Sequence, residues 1–296
     1  MRVAITGASG LVGSALADSL SEDGHGVVRV VRRPARSSDE AEWRPDEGYL
    51  DTGRLAGADA VVHLAGQPIG PARWTRRYRR GLWDSRVPAT RGLAAALAGM
   101  EAPPPRLVSG SAVGFYGDTG DRTAGEDAPR GDGFLAELVA AWEGATAPAE
   151  EAGIPVVHAR TGIVLARSGG LLGTVLPMFR LGLGARLGSG RQYISWIALA
   201  DEVAALRFLL ERPGITGPVN LVAPDPVTNA EYTRQVARAV HRPAVLAVPG
   251  FAMRAALGGF ADEAALVSQR AAPERLRSAG YSFLRPELSG ALSDIA

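Results

Sequence analysis

A doubly wound α/β protein, with a parallel sheet and a smaller, mostly helical C-terminal lobe, is predicted by three features of the sequence. Short β-type runs alternate with amphipathic stretches from Met1 to about Leu165. A glycine triplet, Gly7, Gly10 and Gly13, stands between the first run and the first helical stretch. The alternation then stops after Arg167-Ser168-Gly169-Gly170. The expected strands are Arg2 to Thr6, Val27 to Val31, Ala60 to Leu64, Arg106 to Ser109 and Val156 to Arg160. Between them, the spacing of Val12, Leu16 and Leu20, of Val87, Leu93 and Leu97, and of Leu135, Leu138, Val139 and Trp142 predicts helices with one apolar face against the sheet.

At about 150 residues per domain, a chain of 296 residues accommodates this sheet domain and a second lobe. Residues 1–167 form the expected sheet domain. A Leu/Gly-rich stretch to Gly190 reads as an irregular segment over a cleft. A helix from Asp201 to Leu210 and a strand from Val219 to Val222 return 197–223 to the sheet, leaving 168–196 and 224–296 as the second lobe. There, Thr228 with Glu231 has capping-box spacing for a helix to about Val240, Gly280 reads as a helix stop, and Tyr281 to Leu284 as a short strand.

The composition, 46% hydrophobic and 21% charged with net charge +1, argues against disorder and against polybasic nucleic-acid binding. Arg73 to Arg80 carries five arginines with Trp74 and Tyr78, and with so little net charge it reads as a solvated helix face. Cysteine is absent, which removes disulfides and thiolate chemistry. Lysine is absent too: all 32 basic residues are arginine, which excludes Schiff-base, P-loop and Tyr-Lys mechanisms. No signal-like stretch opens the chain, and every apolar run breaks well before the roughly 20 residues of a membrane span, so a cytoplasmic protein without membrane contact is expected. The four histidines are scattered without ligand spacing, and no metal is expected. A homodimer is compatible with the sequence.

The glycine triplet has the chemistry of a phosphate cradle. Gly7 permits the tight turn, Gly10 lets backbone approach a pyrophosphate, and Gly13 lets the helix sit close to the strand with its positive dipole end toward the phosphates. Ser9, Leu11 and Val12 complete the loop. This is a Rossmann-type arrangement for a dinucleotide. An acidic residue about 20 positions further on would hold the ribose of NAD, but Arg32 and Arg33 stand there, and two guanidinium groups suit the 2′-phosphate of NADP(H).

Beyond the glycines the chain resembles the extended short-chain dehydrogenase/reductase superfamily, of the NAD-dependent epimerase/dehydratase type. Asp59-Ala60-Val61-Val62-His63-Leu64-Ala65-Gly66 looks like its fourth-strand Asn-Ala-Gly signature, Ser109-Gly110-Ser111-Ala112-Val113 like the strand with the catalytic Ser/Thr, and Arg160-Thr161-Gly162-Ile163-Val164-Leu165 like the segment closing on the nicotinamide. Ala65-Gly66-Gln67-Pro68-Ile69, Asp84-Ser85-Arg86, Ser111 to Gly117, Gly188 to Gln192, Ser195-Trp196 and the C-terminal Ser268-Gln269-Arg270 are similar, more narrowly, to the "epimerase family protein" group. The resemblance implies that Leu64, Ala65, Gly66, Ser109, Gly110, Thr161, Gly162 and Ile163 contact the cofactor. Arg86 is a candidate for an anionic group of substrate or cofactor, or for a buried ion pair with Asp84 or another carboxylate. Gln67, Phe115, Gln192, Tyr193 and Trp196 are candidates for a substrate pocket, with core packing as the alternative for Trp196.

One departure outweighs these matches. The superfamily works with Tyr-x-x-x-Lys, and here Phe134 stands at the tyrosine position and Leu138 at the lysine position. Ser111 keeps the catalytic serine's place, as a substrate-polarising hydroxyl or a turn hydroxyl. Tyr116 is a candidate replacement donor or a packed residue, and Glu137 a candidate acid/base or a surface carboxylate. Two functions follow: an atypical NADP(H)-dependent oxidoreductase or epimerase acting on a small carbonyl or sugar-like substrate, or a non-catalytic NADP(H)-binding regulator or sensor.

Overall fold

A computed structural model gives the fold, with residues 1–70 and 73–293 described. The strands are β1 (Arg2–Thr6), β2 (Gly26–Val31), β3 (Glu40–Arg44), β4 (Tyr49–Leu50), β5 (Ala60–His63), β6 (Leu107–Ala112), β7 (Val156–Thr161), β8 (Ile163–Leu165), β9 (Ala185–Leu187), β10 (Tyr193–Ile194), β11 (Trp196–Ala198), β12 (Gly217–Leu221), β13 (Val227–Thr228) and β14 (Leu246–Val248). The helices are α1 (Leu11–Glu22), α2 (Arg76–Asp84), α3 (Val87–Ala98), α4 (Phe134–Gly144), α5 (Ala147–Glu151), α6 (Gly170–Arg180), α7 (Leu199–Leu210), α8 (Asn229–Ala239), α9 (Gly250–Leu257), α10 (Glu274–Ser278) and α11 (Leu288–Ser293).

Eight strands form one sheet in the order β12-β7-β6-β5-β1-β2-β3-β4, parallel throughout except for β4, which runs antiparallel to β3. The order reverses between β1 and β5, the switch point at which doubly wound sheets open a crevice beyond the carboxyl ends of their strands. Side-chain alternation sorts the faces. Val3, Ile5, Val62, Val108, Val157 and Ala159 pack under α1 and α7, while Ala4, Val28, Val30, Val61, Leu107 and Val156 pack under α3. After β8 the chain builds a further cluster, in which α6, α8 and α11 gather around Trp196. It returns to the sheet through α7 and β12.

The six strands expected of the sheet form within a residue or two, except that β6 runs three residues further, to Ala112. Three expectations need correction. β3 and β4 complete the sheet although Glu-Ala-Glu-Trp-Arg has no apolar run; Glu40 is tolerated there because Arg33 reaches over to it. The Leu/Gly-rich stretch is not irregular, since Leu172, Leu176 and Phe179 form the buried stripe of α6 and 185–187 pair with β14. Tyr281 to Leu284 is no strand: the Tyr281 hydroxyl and the Leu284 N–H bind the Asp201 carboxylate instead. Thr228 caps α8 through the Glu231 N–H as its spacing suggests, and Gly280 ends the α10 turn at φ +82°. Among the described residues no helix is long and apolar enough to cross a membrane. The last three residues of the expected lobe lie outside the described residues.

Candidate functional site

The site is built on the β1–α1 turn. Gly7 has φ +70°, and a Cβ there would lie 2.8 Å from the Leu64 carbonyl carbon. A Cβ on Gly13 would stand 2.2 Å from the Gly7 oxygen, so only glycine lets α1 start this close to the strand. Gly10 donates its N–H to the Gly7 carbonyl at 2.9 Å and is the N-cap of α1, with no side chain capping the helix and no acidic residue in its first turn. Ser9 and Gly10 are exposed, with Leu11 and Val12 half-buried behind them. The result is an uncapped, positively polarised helix end at the switch point, a ready anion cradle.

The two arginines after β2 separate. Both Nη atoms of Arg33 grip the Glu40 carboxylate, at 2.7 and 2.6 Å, and the Arg36 N–H adds a third bond at 2.8 Å. This hydrogen bonding, led by Arg33, holds Glu40 down at about 2. Arg33 therefore braces β3 instead of presenting a free fork, a correction to the expected pair. Arg32 is exposed and makes no hydrogen bond or ion pair with any described residue.

Across the crevice, Thr6 Oγ1 accepts the N–H groups of Leu64 and Ala65 at 3.1 and 3.2 Å and lies 2.7 Å from His63 Nδ1. His63 Nε2 lies 2.9 Å from Thr90 Oγ1, which also accepts Trp142 Nε1–H at 3.0 Å. This chain sets the height of the Leu64–Gly66 loop. Burial, with the nearby Arg86 charge adding, pushes His63 down to about 4. Between pH 6.5 and 4 an unfolded chain takes up a proton that the native imidazole refuses, so stability present above pH 6.5 is lost as pH falls through this window. The loss is about 3 kcal/mol by linkage, and a His63→Gln variant should flatten that part of a denaturation-versus-pH curve.

Arg86 is 7% exposed. Its Nη2 donates to the Gln67 carbonyl at 2.9 Å, its Nε has no partner among the described residues, and its guanidinium sits over Trp142. It makes no ion pair with Asp84, which pairs with Arg80 instead. Burial lowers Arg86 to about 10. A Cβ on Gly66 would lie 3.2 Å from its guanidinium carbon, so Gly66 lets this buried, carboxylate-free cation abut the loop.

At the end of β6, Ser109 is buried with its hydroxyl on the Gly110 carbonyl, and Gly110 lies against Trp142. Ser111 donates to Glu143 Oε1 at 2.6 Å, and Arg160 binds both oxygens of Glu143 at 2.7 and 2.8 Å. Arg160 also donates to Tyr116 Oη at 3.0 Å and lies 3.6 Å over the half-buried Phe115 ring. Tyr116 is 1% exposed, donates to Asn220 Oδ1 at 2.7 Å, and is raised above its ordinary pKa by burial. It is thus locked in the interior rather than offered to the cleft, which is the packed alternative and not the replacement donor. Glu137 is an exposed surface carboxylate on α4, with no side-chain bond to a described residue.

The positions of the missing pair are packed with apolar side chains. Leu135 and Leu138 are buried with Trp74, Leu82 and Phe260, and Phe134 meets the Trp74 ring edge-on. Glu263 caps α4 by accepting the N–H groups of Phe134 and Leu135 at 3.0 and 3.1 Å, tying the C-terminal segment to this helix. Among the substrate candidates, Gln192 is buried with its amide on the Leu187 carbonyl. Trp196 is fully buried and bonds the Asp225 carbonyl. Both hold the lobe together: for Trp196 this is the core-packing alternative, and for Gln192 it corrects the placement in a pocket. Tyr193 is half-buried under Arg270, and Gln67 borders an open cavity beside Tyr78 and Gly81. Thr161 bonds Glu202, a Cβ on Gly162 would lie 2.7 Å from the Ser195 oxygen, and Ile163 begins β8.

Sequence reasoning missed Glu143, Glu202 and the Thr6–His63–Thr90 chain. For the two carboxylates a signal exists: Glu143 follows Leu135 and Val139 on one helical stripe, and Glu202 precedes Leu206 and Leu209 on another. A charge inside an apolar stripe marks a buried ionisable group.

The model of the NAD dependent epimerase/dehydratase family matches residues 3–221, and a domain of unknown function, DUF1731, matches residues 248–295. The chain is 50% identical over 290 residues to Epimerase family protein Mb2239 of Mycobacterium bovis, covering 98% of this chain and 96% of that protein. It is 36% identical over 298 residues to human Epimerase family protein SDR39U1, covering 100% and 99%. The crystal structure of human SDR39U1 (isoform2) with NADPH superposes with a TM-score of 0.90 at 34% identity, covering 100% and 99% of the chains. A nucleoside-diphosphate sugar epimerase from Corynebacterium glutamicum superposes with a TM-score of 0.82 at 35% identity, covering 99% of this chain and 57% of that one. The chain belongs to the NAD dependent epimerase/dehydratase family.

Proposed function

We propose that the protein binds NADP(H) and acts as an atypical oxidoreductase or epimerase on a small carbonyl or sugar-like substrate. The observation that carries the cofactor is the pairing of an uncapped α1 N-terminus at the switch point with Arg32 after β2, which has no partner among the described residues. The first suits the pyrophosphate and the second the 2′-phosphate. The human relative crystallised with NADPH supports the same reading. Arg86 would take a polar or anionic group of the cofactor beside Gly66, since a buried guanidinium without a carboxylate gains most from such a partner. The bound cofactor would supply hydride chemistry.

For the substrate, Ser111 is the best-placed hydroxyl, because its proton lies on a carboxylate held in place by Arg160. It can accept a hydrogen bond from a substrate alcohol or relay a proton toward Glu143. A non-catalytic NADP(H) sensor is the second reading, favoured by the apolar packing around Leu138 where the family's lysine would stand. Ser111→Ala separates the two. In the first case NADPH binding persists while turnover falls about 10²-fold or more, as for loss of a general acid/base group. No detectable turnover in either form, over a panel of carbonyl and nucleotide-sugar compounds, supports the sensor.

A further inference from the structure

Behind the Thr161-Gly162 turn stands a carboxyl to which the proposed reaction assigns no role. Glu202 lies in the first turn of α7 and is 1% exposed. Its Oε1 accepts the Thr161 hydroxyl at 2.8 Å, and its Oε2 has no partner among the described residues. Among the described residues, none of the strands packed around it turns a cation toward it. β6, β8, β11 and β12 contain no ionisable residue, and β7 turns His158 and Arg160 to the opposite face, toward Glu143. On α1, Asp18 and Glu22 are exposed, while Asp23 beyond its end is taken by Arg207 of α7. The 281–285 segment that packs on this end of α7 brings Tyr281, which donates to the neighbouring Asp201, and Arg285, whose backbone N–H binds the same Asp201 carboxylate. A carboxyl buried without a cation stays protonated at neutral pH, and burial pushes Glu202 up to about 8 against the opposing pull of the Thr161 hydroxyl.

The position gives this carboxyl a consequence, which rests on the NADP(H) reading above. With the adenosine half drawn over β2 toward Arg32, a bound cofactor would carry its nicotinamide half to the other side of β1, toward the carboxyl ends of β5, β6 and β7, where Thr161 ends β7. We propose that Glu202 sets which redox form of the cofactor the pocket prefers. As a neutral acid it admits the uncharged ring of NADPH without penalty; as a carboxylate it favours the cationic ring of NADP⁺. By reciprocity, NADP⁺ binding draws the proton off Glu202 into solvent, and NADPH binding does not.

The test is the dissociation constant of each form for the full chain and for Glu202→Gln, at pH 7 and pH 9. The 2′-phosphate is common to both ligands and cancels in their ratio. If NADP⁺ lowers the titration of Glu202 by about one pH unit, the ratio Kd(NADP⁺)/Kd(NADPH) falls about fivefold between pH 7 and pH 9 in the wild type and stays constant in Glu202→Gln. A wild-type ratio that does not move, or a variant that keeps the wild-type fall, overturns the proposal while leaving the cofactor reading intact. Absence of binding by either form at both pH values overturns both. If the variant does not fold, wild-type protein carrying ¹³C at the glutamate carboxyls reads the same quantity: NADP⁺ lowers the midpoint of the buried resonance and NADPH does not, and equal midpoints overturn the proposal.

Discussion

Replacing Arg160 by alanine is expected to lower stability by about 3–5 kcal/mol, the usual cost of leaving one member of a buried ion pair alone. Arg160 is 3% exposed and carries both oxygens of Glu143, the Tyr116 hydroxyl and the Glu126 carbonyl. Its loss would strand Glu143 with the Ser111 hydroxyl as its nearest compensation and leave Tyr116 bonded to Asn220 alone. Removing both charges, as Arg160→Met with Glu143→Leu, should cost clearly less than Arg160→Ala, because no uncompensated charge then remains buried. Urea denaturation of the three proteins measures this. A loss below about 1 kcal/mol for Arg160→Ala would mean that the pair is solvated.

The second large effect has the opposite sign. Glu202→Gln should stabilise the protein increasingly as pH rises. Between pH 4.5 and 8 an unfolded chain has already released the Glu202 proton while the native state keeps it. The native state thus binds more protons in this window, and wild-type stability falls with pH until the native carboxyl itself ionises. The accumulated difference is on the order of 5 kcal/mol at pH 8 and above, approached at up to about 1.4 kcal/mol per pH unit, and it is absent below pH 4.5 where both forms are neutral. Denaturation midpoints of the two proteins from pH 5.5 to 9 give the slope directly. Parallel curves would show that Glu202 is ionised throughout.

The parallel sheet is legible because its strands are buried on both faces, so Arg2 to Thr6 or Val156 to Arg160 stand out as short runs between helical stretches. The glycine turn is legible for a different reason: its backbone geometry admits no side chain, and that requirement is written in residue type. What hides is whatever depends on a distant partner. Nothing local says that Arg33 is spent on Glu40 while Arg32 has no partner among the described residues, or that Glu-Ala-Glu-Trp-Arg joins the sheet with Arg33 neutralising its first glutamate. Tyr116 and Gln192 carry polar groups that suit a pocket, yet Asn220 in one case and the Leu187 carbonyl in the other claim them in the interior. Residue types therefore locate the crevice, while long-range hydrogen bonds decide which polar groups face it.

The proposed vesting of NADP selectivity in Arg32 is tested most directly by calorimetric titration of wild type and Arg32→Ala with NADPH and NADH. The expected result is tight NADPH binding by the wild type, weakened in Arg32→Ala by about 10- to 100-fold, the range of a lost charge-assisted contact to phosphate, with NADH affinity unchanged. Equal weakening of both ligands, or wild-type protein that prefers NADH, would contradict it.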